Sequence, residues 1–267
     1  MMDLQKQSRE VRRQAFQLME DVGGGHYGGN LSEIEAMTVL YGKVLNVKAE
    51  DPQWPERDRF VMSKGHGGFG LYATLNYFGF VDYRTLAEDD AYGVMIPKHA
   101  STHVPGVEVS TGSLGQGLSI ANGIALGLRA DGSNSRVYTL LGDGECNEGQ
   151  IWEAAMTAGK YKLDNLCAVI DNNRYEFDGP TAEVMPIEPL RSKWEDFGWN
   201  VYEVDGHDTE ALLAAFEAAK EFKGKPSMII AVTVKGKGIS YMENVTTWHA
   251  GSVTKEQFEL GMAELEV

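Results

Sequence analysis

Two apolar runs end on residues able to hold a charged ligand. Val137-Tyr138-Thr139-Leu140-Leu141 stops at Gly142-Asp143-Gly144, and Leu166-Cys167-Ala168-Val169-Ile170 stops at Asp171-Asn172-Asn173. The stretch between them reads as one amphipathic helix, so the runs are read as parallel strands joined by a helical crossover. Both strands then end at the same edge of the sheet. Asp143 and Asn173 converge on the crevice where open α/β sheets bind ligands. Two hard oxygen ligands beside glycine-exposed backbone N–H groups suit a diphosphate bound through Mg²⁺.

A Gly-x-Gly after a strand also has a plain explanation, a tight turn into a helix, and short glycine motifs are weak taken alone. The Asp-Asn-Asn at the next strand end shifts the balance, because a carboxylate and an amide on adjacent loops are not needed merely to turn the chain. A dinucleotide-binding unit is the competing reading. It wants a third glycine at position 147, where the chain has Asn147, and it leaves Asn172 and Asn173 idle.

The elements that must position these residues follow from periodicity. Residues 4–22 read as a helix with Val11, Ala15, Leu18, Met19 and Val22 on one face. A glycine loop around His26 follows. Ser32 is then placed to cap a helix reaching about Leu45, with Glu35 completing a capping box. Residues 58–62 form a short strand ending at Ser63-Lys64-Gly65-His66, and a helix through Leu71, Leu75 and Phe78 comes next. An irregular region holds Pro97, His99, His103 and Pro105. Residues 114–128, rich in small residues, are expected as a closely packed, buried helix with Ile120, Ile124 and Leu128 at helical spacing. Asn147 is expected to cap the crossover helix, with Gln150 at the capping-box position. Helices over 190–197, 209–222 and 254–265 alternate with strands over 199–204 and 228–234. Thr254 and Gln257 form the last capping box. Strands alternating with helices predict an α/β fold, a parallel sheet with helices on both faces in three layers.

Composition bounds the rest. At 267 residues, 43% hydrophobic and 24% charged, the chain suits a single globular domain, taken as residues 1–267. A formal charge of -15 argues against a general affinity for nucleic acid or anionic membrane. No apolar run approaches the roughly 20 residues needed to span a bilayer, and the charged N-terminus lacks the apolar centre of a signal peptide. The two cysteines, Cys146 and Cys167, have no CxxC spacing, so neither a disulfide framework nor a zinc site is expected. A cytoplasmic protein is the resulting expectation.

Gly142-Asp143-Gly144, a gap of 27 residues, then Asn172-Asn173 resembles the thiamine diphosphate-binding motif. Gly25-His26, the run from Asp58 to His66, the run from Pro105 to Gly117, and Trp248-His249-Ala250-Gly251 extend the resemblance, in order, to the transketolase family. It covers nearly the whole chain and points to that family's N-terminal, diphosphate-binding part. The resemblance implies that Asp143 and Asn173 ligate the metal, that Tyr175 supplies a backbone carbonyl, and that Gly144 brings its N–H to the diphosphate. Asn173 would touch both metal and cofactor. Gly112, Ser113 and Leu114 would line the cofactor. Glu148 matches a family glutamate near the pyrimidine, although an acidic residue at a helix N-terminus is also favourable for its own sake.

A lone loop histidine is usually a surface residue. Here His26, His66, His99 and His249 all fall on family positions, and imidazole can donate or accept a proton near neutrality. The resemblance gives His66 and His249 cofactor contacts, gives His26 and His249 contact with substrate hydroxyls and a part in proton transfer, and places His99 in the substrate channel. Lys98-His99-Ala100-Ser101 departs from the usual family wording. A metal pair of His99 and His103 is disfavoured by the flanking Pro97 and Pro105. His207 is read as a surface loop residue.

The implied reaction is thiamine diphosphate-dependent ketol transfer, moving a two-carbon unit from a ketose, or ketose phosphate, to an aldose. Mg²⁺ is the expected metal, with Ca²⁺ a candidate substitute. The family's pyrimidine-binding domain has no counterpart here. The chain is therefore expected to be the N-terminal subunit of a split transketolase, working with a separately encoded C-terminal subunit in a heterotetramer on sugar phosphates. Other readings are a deoxyxylulose phosphate synthase-like subunit, a 2-oxo acid decarboxylating subunit, and a non-catalytic regulatory half.

Overall fold

The computed structural model describes residues 3–82 and 96–266. Five parallel strands form one sheet in the order β1-β2-β3-β5-β4, with β1 at Arg59–Met62, β2 at Val137–Gly142, β3 at Leu166–Asn172, β4 at Asn200–Asp205 and β5 at Ser227–Val232. Every residue of β2 and β3 is buried. This is why their sequences are unbroken apolar runs rather than alternating ones: helices cover both faces of a parallel sheet. The register pairs Val137 with Leu166 and Gly142 with Asp171, so the Gly-Asp-Gly and Asp-Asn-Asn segments leave the sheet side by side.

Side chains alternate between two cores. One contains Phe60, Met62, Tyr138, Leu140, Val169 and Ile229, packed with α1 (Leu4–Asp21), α3 (Ile34–Val39), α4 (Gly68–Tyr77) and α8 (Thr209–Glu221). The other contains Val61, Val137, Leu141, Ala168, Ile170 and Ile230, packed with α5 (Gly117–Ala130), α6 (Gly149–Tyr161) and α7 (Leu190–Asp196). The three-layer α/β arrangement expected from the alternation of elements is the one observed.

α1 is capped by Asp3, whose carboxylate accepts from Lys6 N at 3.1 Å. The helix ends where Gly24 N reaches Met19 O at 2.7 Å and Gly23 takes a φ of 76°. The final helix, α9 (Lys255–Glu264), has the Thr254–Gln257 capping box expected from its sequence.

Several local expectations are corrected. Ser32 caps nothing: it is the last residue of α2 (Tyr27–Ser32), and its hydroxyl donates to Asp171 Oδ2 at 2.6 Å. Glu35 completes no box and instead pairs with Arg12. Asn147 ends a short 3-10 turn, while Glu148 occupies the cap position of α6 without a side-chain cap bond. α5 starts at Gly117 and is only half buried. Leu118, Ala121, Asn122 and Ala125 face the core, and Ile120, Ile124 and Leu128 lie partly exposed one row away. His207 is not a free surface residue. Its Nε2 accepts from Val234 N at 2.9 Å and its Nδ1 lies 3.0 Å from Glu35 Oε2, so the proton sits on Nδ1. For Ser32, Glu35 and His207 the cause is the same: a polar side chain suited to a local role found a stronger partner distant in the chain. Cys146 and Cys167 are buried and free.

Candidate active site

The site is built at the C-terminal edge of the sheet from the loops that follow β1, β2, β3 and β5. Asp143, immediately after β2, is 2% exposed. Its Oδ1 accepts from Gly144 N at 2.8 Å and its Oδ2 accepts from Arg174 N, on the loop after β3. The two loops expected to converge are thus joined by a backbone-to-carboxylate bond. Asn173 holds the next position. Its Oδ1 accepts from Tyr175 N at 3.1 Å and its Nδ2 donates to Asp171 Oδ2 at 3.1 Å. Arg174, between them, takes a φ of 65°, which turns the chain back so that Tyr175 pairs with Pro180.

Burial first, then the nearby Asp171 carboxylate, raises the Asp143 carboxyl to about 7, against the two backbone N–H bonds that favour its charge. A carboxylate so placed wants a countercharge. A carboxylate and an amide oxygen on two joined loops, with the Tyr175 carbonyl two residues beyond Asn173, are hard oxygens of the kind that suits Mg²⁺ or Ca²⁺. The residues present fit such a cation. Among the described residues, no cluster of three or more His, Cys, Asp or Glu side chains offers an alternative centre, and His103 Nδ1 lies 3.0 Å from Ser101 Oγ.

The histidines are drawn from segments far apart in the chain and meet around His26. Its ring centroid is 5.4 Å from those of His66 and His99 and 5.7 Å from that of His249, and His66 and His249 are 5.4 Å apart. The glycine run makes this meeting possible. Gly25 and Gly251 exchange two 3.0 Å backbone bonds, and a Cβ at Gly24 would lie 2.2 Å from Gly251 O. Asn30 fastens the group from behind, donating to His26 O at 2.7 Å and to His66 O at 2.8 Å. His99 is carried by a segment whose Ala100 N bonds Gly65 O at 2.9 Å.

Three of these imidazoles are held neutral. Burial and then His99 and Lys98 lower His26 to about 4. Burial and then Lys235 and His26 lower His249 to about 3. Burial and then Lys64 lower His66 well below its ordinary value. Neutral rings offer one donor and one acceptor each at pH 7, the state needed to grip hydroxyls and exchange a proton with them. His26 Nδ1 is buried without a partner.

Lys235, 1% exposed, connects the two halves. Its ammonium lies 3.0 Å from His249 Nδ1, 3.1 Å from Glu176 O and 3.5 Å from Tyr175 O. Burial lowers it to about 8, with the Asp143 carboxylate acting the other way.

Gly112, Ser113 and Leu114 lie on the loop before α5, and Gly112 faces the His99 ring, 3.6 Å from where its Cβ would stand. Gly65 packs on the same loop: a Cβ there would sit 2.6 Å from the Thr111 carbonyl carbon. Gly144 follows Asp143 against Glu176, and Glu148 is exposed beside Gly115. Glu145 carries no mark of its importance in the sequence. Its buried carboxylate accepts from Gly115 N at 2.9 Å, from Gly142 N at 3.0 Å and from Ser63 Oγ, tying the ends of β1 and β2 to the Gly112–Leu114 loop. Lys64 is equally unmarked, although it lies inside the motif from Asp58 to His66. Its ammonium is buried between Glu33, at 2.8 Å, and Asp171, at 2.6 Å. Burial pushes Glu33 up to about 8 against the pull of Lys64. Burial would raise Asp171 too, but Lys64 and the hydroxyls of Ser32 and Thr233 hold it below its ordinary value. The only signal for these roles in the sequence is the occurrence of charged residues at the ends of apolar strands.

A parallel sheet whose strand ends present oxygen donors beside four clustered histidines is an α/β protein with a candidate cofactor site at its C-terminal edge. The chain belongs to the transketolase family: the thiamine diphosphate-binding domain of transketolase matches residues 4–264. It is 44% identical over 265 residues to the 6-deoxy-6-sulfo-D-fructose transketolase subunit SqwG of Clostridium sp. (strain MSTE9), covering 99% of this chain and 96% of that relative. It is 41% identical over 262 residues to an apulose-4-phosphate transketolase subunit of Phocaeicola vulgatus, covering 98% of this chain and 93% of the relative. Among solved structures it resembles the transketolase of Leishmania mexicana, with a TM-score of 0.91, 32% identity, and coverage of 100% of this chain and 42% of that one. The transketolase of Campylobacter jejuni gives a TM-score of 0.91 at 30% identity, over 99% of this chain and 43% of that one. The chain therefore spans nearly the full length of the separate subunits and less than half of those two transketolase chains. Among the described residues no helix is long and apolar enough to cross a membrane.

Proposed function

We propose that this chain, acting as one domain over residues 1–267, is the diphosphate-binding subunit of a split transketolase, moving a two-carbon ketol unit between anionic sugars. The observation that carries the reading is Lys235, whose single ammonium touches both the Tyr175 carbonyl of the oxygen donor set and His249 of the histidine group. A cofactor gripped by its diphosphate at the first would be presented to the second.

Asp143, Asn173 and the Tyr175 carbonyl would hold Mg²⁺, or Ca²⁺ in its place, and Gly144 would offer its N–H to the diphosphate. Gly112, Ser113, Leu114 and His66 would line the rest of the cofactor, with Glu148 at the pyrimidine side. Thiamine diphosphate supplies, when bound, the electron sink for cleaving and forming the carbon–carbon bond. His26 and His249 would hold substrate hydroxyls and move protons, and His99 would line the approach. With Nδ1 of His249 accepting from Lys235, its Nε2 carries the proton and is left as a donor.

The relatives' designation as subunits supports a separately encoded pyrimidine-domain partner, which we place in a heterotetramer. The relatives are named for a sulfo-sugar and a sugar phosphate, which supports an anionic ketose as donor. A cytoplasmic setting suits such substrates. Co-expression with the partner chain, purification, and assay with Mg²⁺ and thiamine diphosphate tests the reading. Ketose-to-aldose transfer by the complex and none by the chain alone is the expected result. Full turnover by the isolated chain overturns the split assembly. A complex that decarboxylates 2-oxo acids but transfers no ketol unit overturns the reaction.

A further inference from the structure

We propose that Asp171 is the positioning residue that decides which end of the Asn173 amide meets the cation, and that it ties this choice to the histidine loops through Lys64. The proposal rests on the cation-holding role given to Asn173 above.

Asp171 is 1% exposed, at the end of β3. Its Oδ2 accepts from Ser32 Oγ at 2.6 Å, Lys64 Nζ at 2.6 Å and Asn173 Nδ2 at 3.1 Å, and its Oδ1 accepts from Thr233 Oγ1. An ionised carboxylate only accepts, so the end of the Asn173 amide that faces it is the NH₂. The carbonyl oxygen must then point away from Asp171. A second partner imposes the same choice independently, because the Tyr175 N–H that meets Asn173 Oδ1 at 3.1 Å only donates. An amide turned the other way would set acceptor against acceptor and donor against donor at once, and would offer a cation its NH₂.

The carboxylate is itself held from the histidine side. The Lys64 ammonium donates to Asp171 Oδ2 and to Gly29 O at 2.8 Å, and it forms an ion pair with Glu33, 2.8 Å from Oε2. Gly29 lies on α2, which begins directly after His26, and a Cβ on Gly29 would stand 3.4 Å from His66 Nε2. The path Asn173–Asp171–Lys64–Gly29 therefore runs from a cation ligand to the backing of two histidines without leaving the buried interior. Outer partners that orient metal ligands typically account for about 10–100-fold in metal affinity.

The test uses the complex with the pyrimidine-domain partner and thiamine diphosphate, titrated with Mn²⁺ and read by electron paramagnetic resonance. Asp171→Asn should weaken Mn²⁺ binding by about 10–100-fold, whereas Thr233→Val, which leaves the bond to Asn173 in place, should change it by less than about threefold. Selective ¹⁵N labelling of asparagine adds a readout that needs no cofactor and no substitution at Asp171: the Asn173 side-chain NH₂ of the wild-type chain, identified by its loss in Asn173→Ser, should exchange slowly with solvent. Mn²⁺ uptake by the wild type together with an Asp171→Asn complex that binds within about threefold overturns this proposal alone, as does free exchange of the wild-type Asn173 NH₂. A wild-type complex that takes up no Mn²⁺ overturns the cation reading beneath it.

Discussion

Lys235, buried, and His249, partly buried, form a pair in which the ammonium stands 3.0 Å from the imidazole Nδ1. An ammonium only donates, so it selects the tautomer with the proton on Nε2. Replacing Lys235 with Met keeps much of the side-chain volume and removes that donor. Ketol transfer by the assembled enzyme should fall by about 100-fold, the lower end of the range for losing a positioned hydrogen-bonding group at a reacting centre. The ¹⁵N shifts of His249, read by NMR, should move from one tautomer toward a mixture. Unchanged shifts would show that Lys235 does not set the ring.

Glu145 accepts three donors with two carboxylate oxygens. Glutamine in its place offers one oxygen and turns an NH₂ toward a backbone N–H. Leaving a buried donor unsatisfied costs about 1–3 kcal/mol. Glu145→Gln should lower the free energy of unfolding by about that amount in urea titration, whatever the chain's function, since the carboxylate joins loops rather than touching ligand.

Gly24 takes a φ of 116° with no room for a Cβ before Gly251 O. Gly24→Ala should cost about 1–3 kcal/mol from backbone strain alone and more from the clash. It should also spread the histidines by prising the 23–29 loop from Gly251. A thermal unfolding midpoint equal to wild type would contradict the geometry.

His26, lowered to about 4, and His249, lowered to about 3, make stability depend on acidity. A histidine whose folded pKa lies below its unfolded value near 6.5 takes up a proton more readily when unfolded. Between roughly pH 6.5 and 4 these two rings therefore bind more protons in the unfolded state, and their contribution to stability falls as pH falls through that window, opposed by the raised carboxyls of Asp143 and Glu33. His26→Gln should make this slope shallower. An identical slope in denaturant titrations at a series of pH values would remove His26 from the account.

Asp143→Asn takes one full charge from the proposed cation site. Retention of thiamine diphosphate by the complex during gel filtration in Mg²⁺ should drop sharply, by about tenfold or more, and excess Mg²⁺ should restore only part of it. Retention equal to wild type would place the cation elsewhere.

The pairing of two loops across parallel strands was legible because it needs only local facts. An apolar run stops where glycine and an oxygen ligand begin, and a crossover of helical length forces both stops to the same edge. The α/β layering, most helix and strand boundaries, the last capping box and the family were open to reading for the same reason. Binary pattern and turn chemistry act over a few residues and are written in order. What could not be read were partners chosen at a distance. Ser32 looked like a cap and bonds Asp171, Glu35 looked like a box and pairs with Arg12, and His207 looked exposed but bridges to Val234. Lys64, Glu145 and Lys235 look ordinary in sequence, and Asp171 stands out there only as part of the Asp-Asn-Asn strand end, not for its partners. They matter because strand ends distant in the chain bring their charges into a dry space, where each must find a counterpart or stay neutral. That three histidines are held neutral, and that one amide has only one way to face, follows from burial and contact. Those are properties of packing, absent from any single stretch of chain.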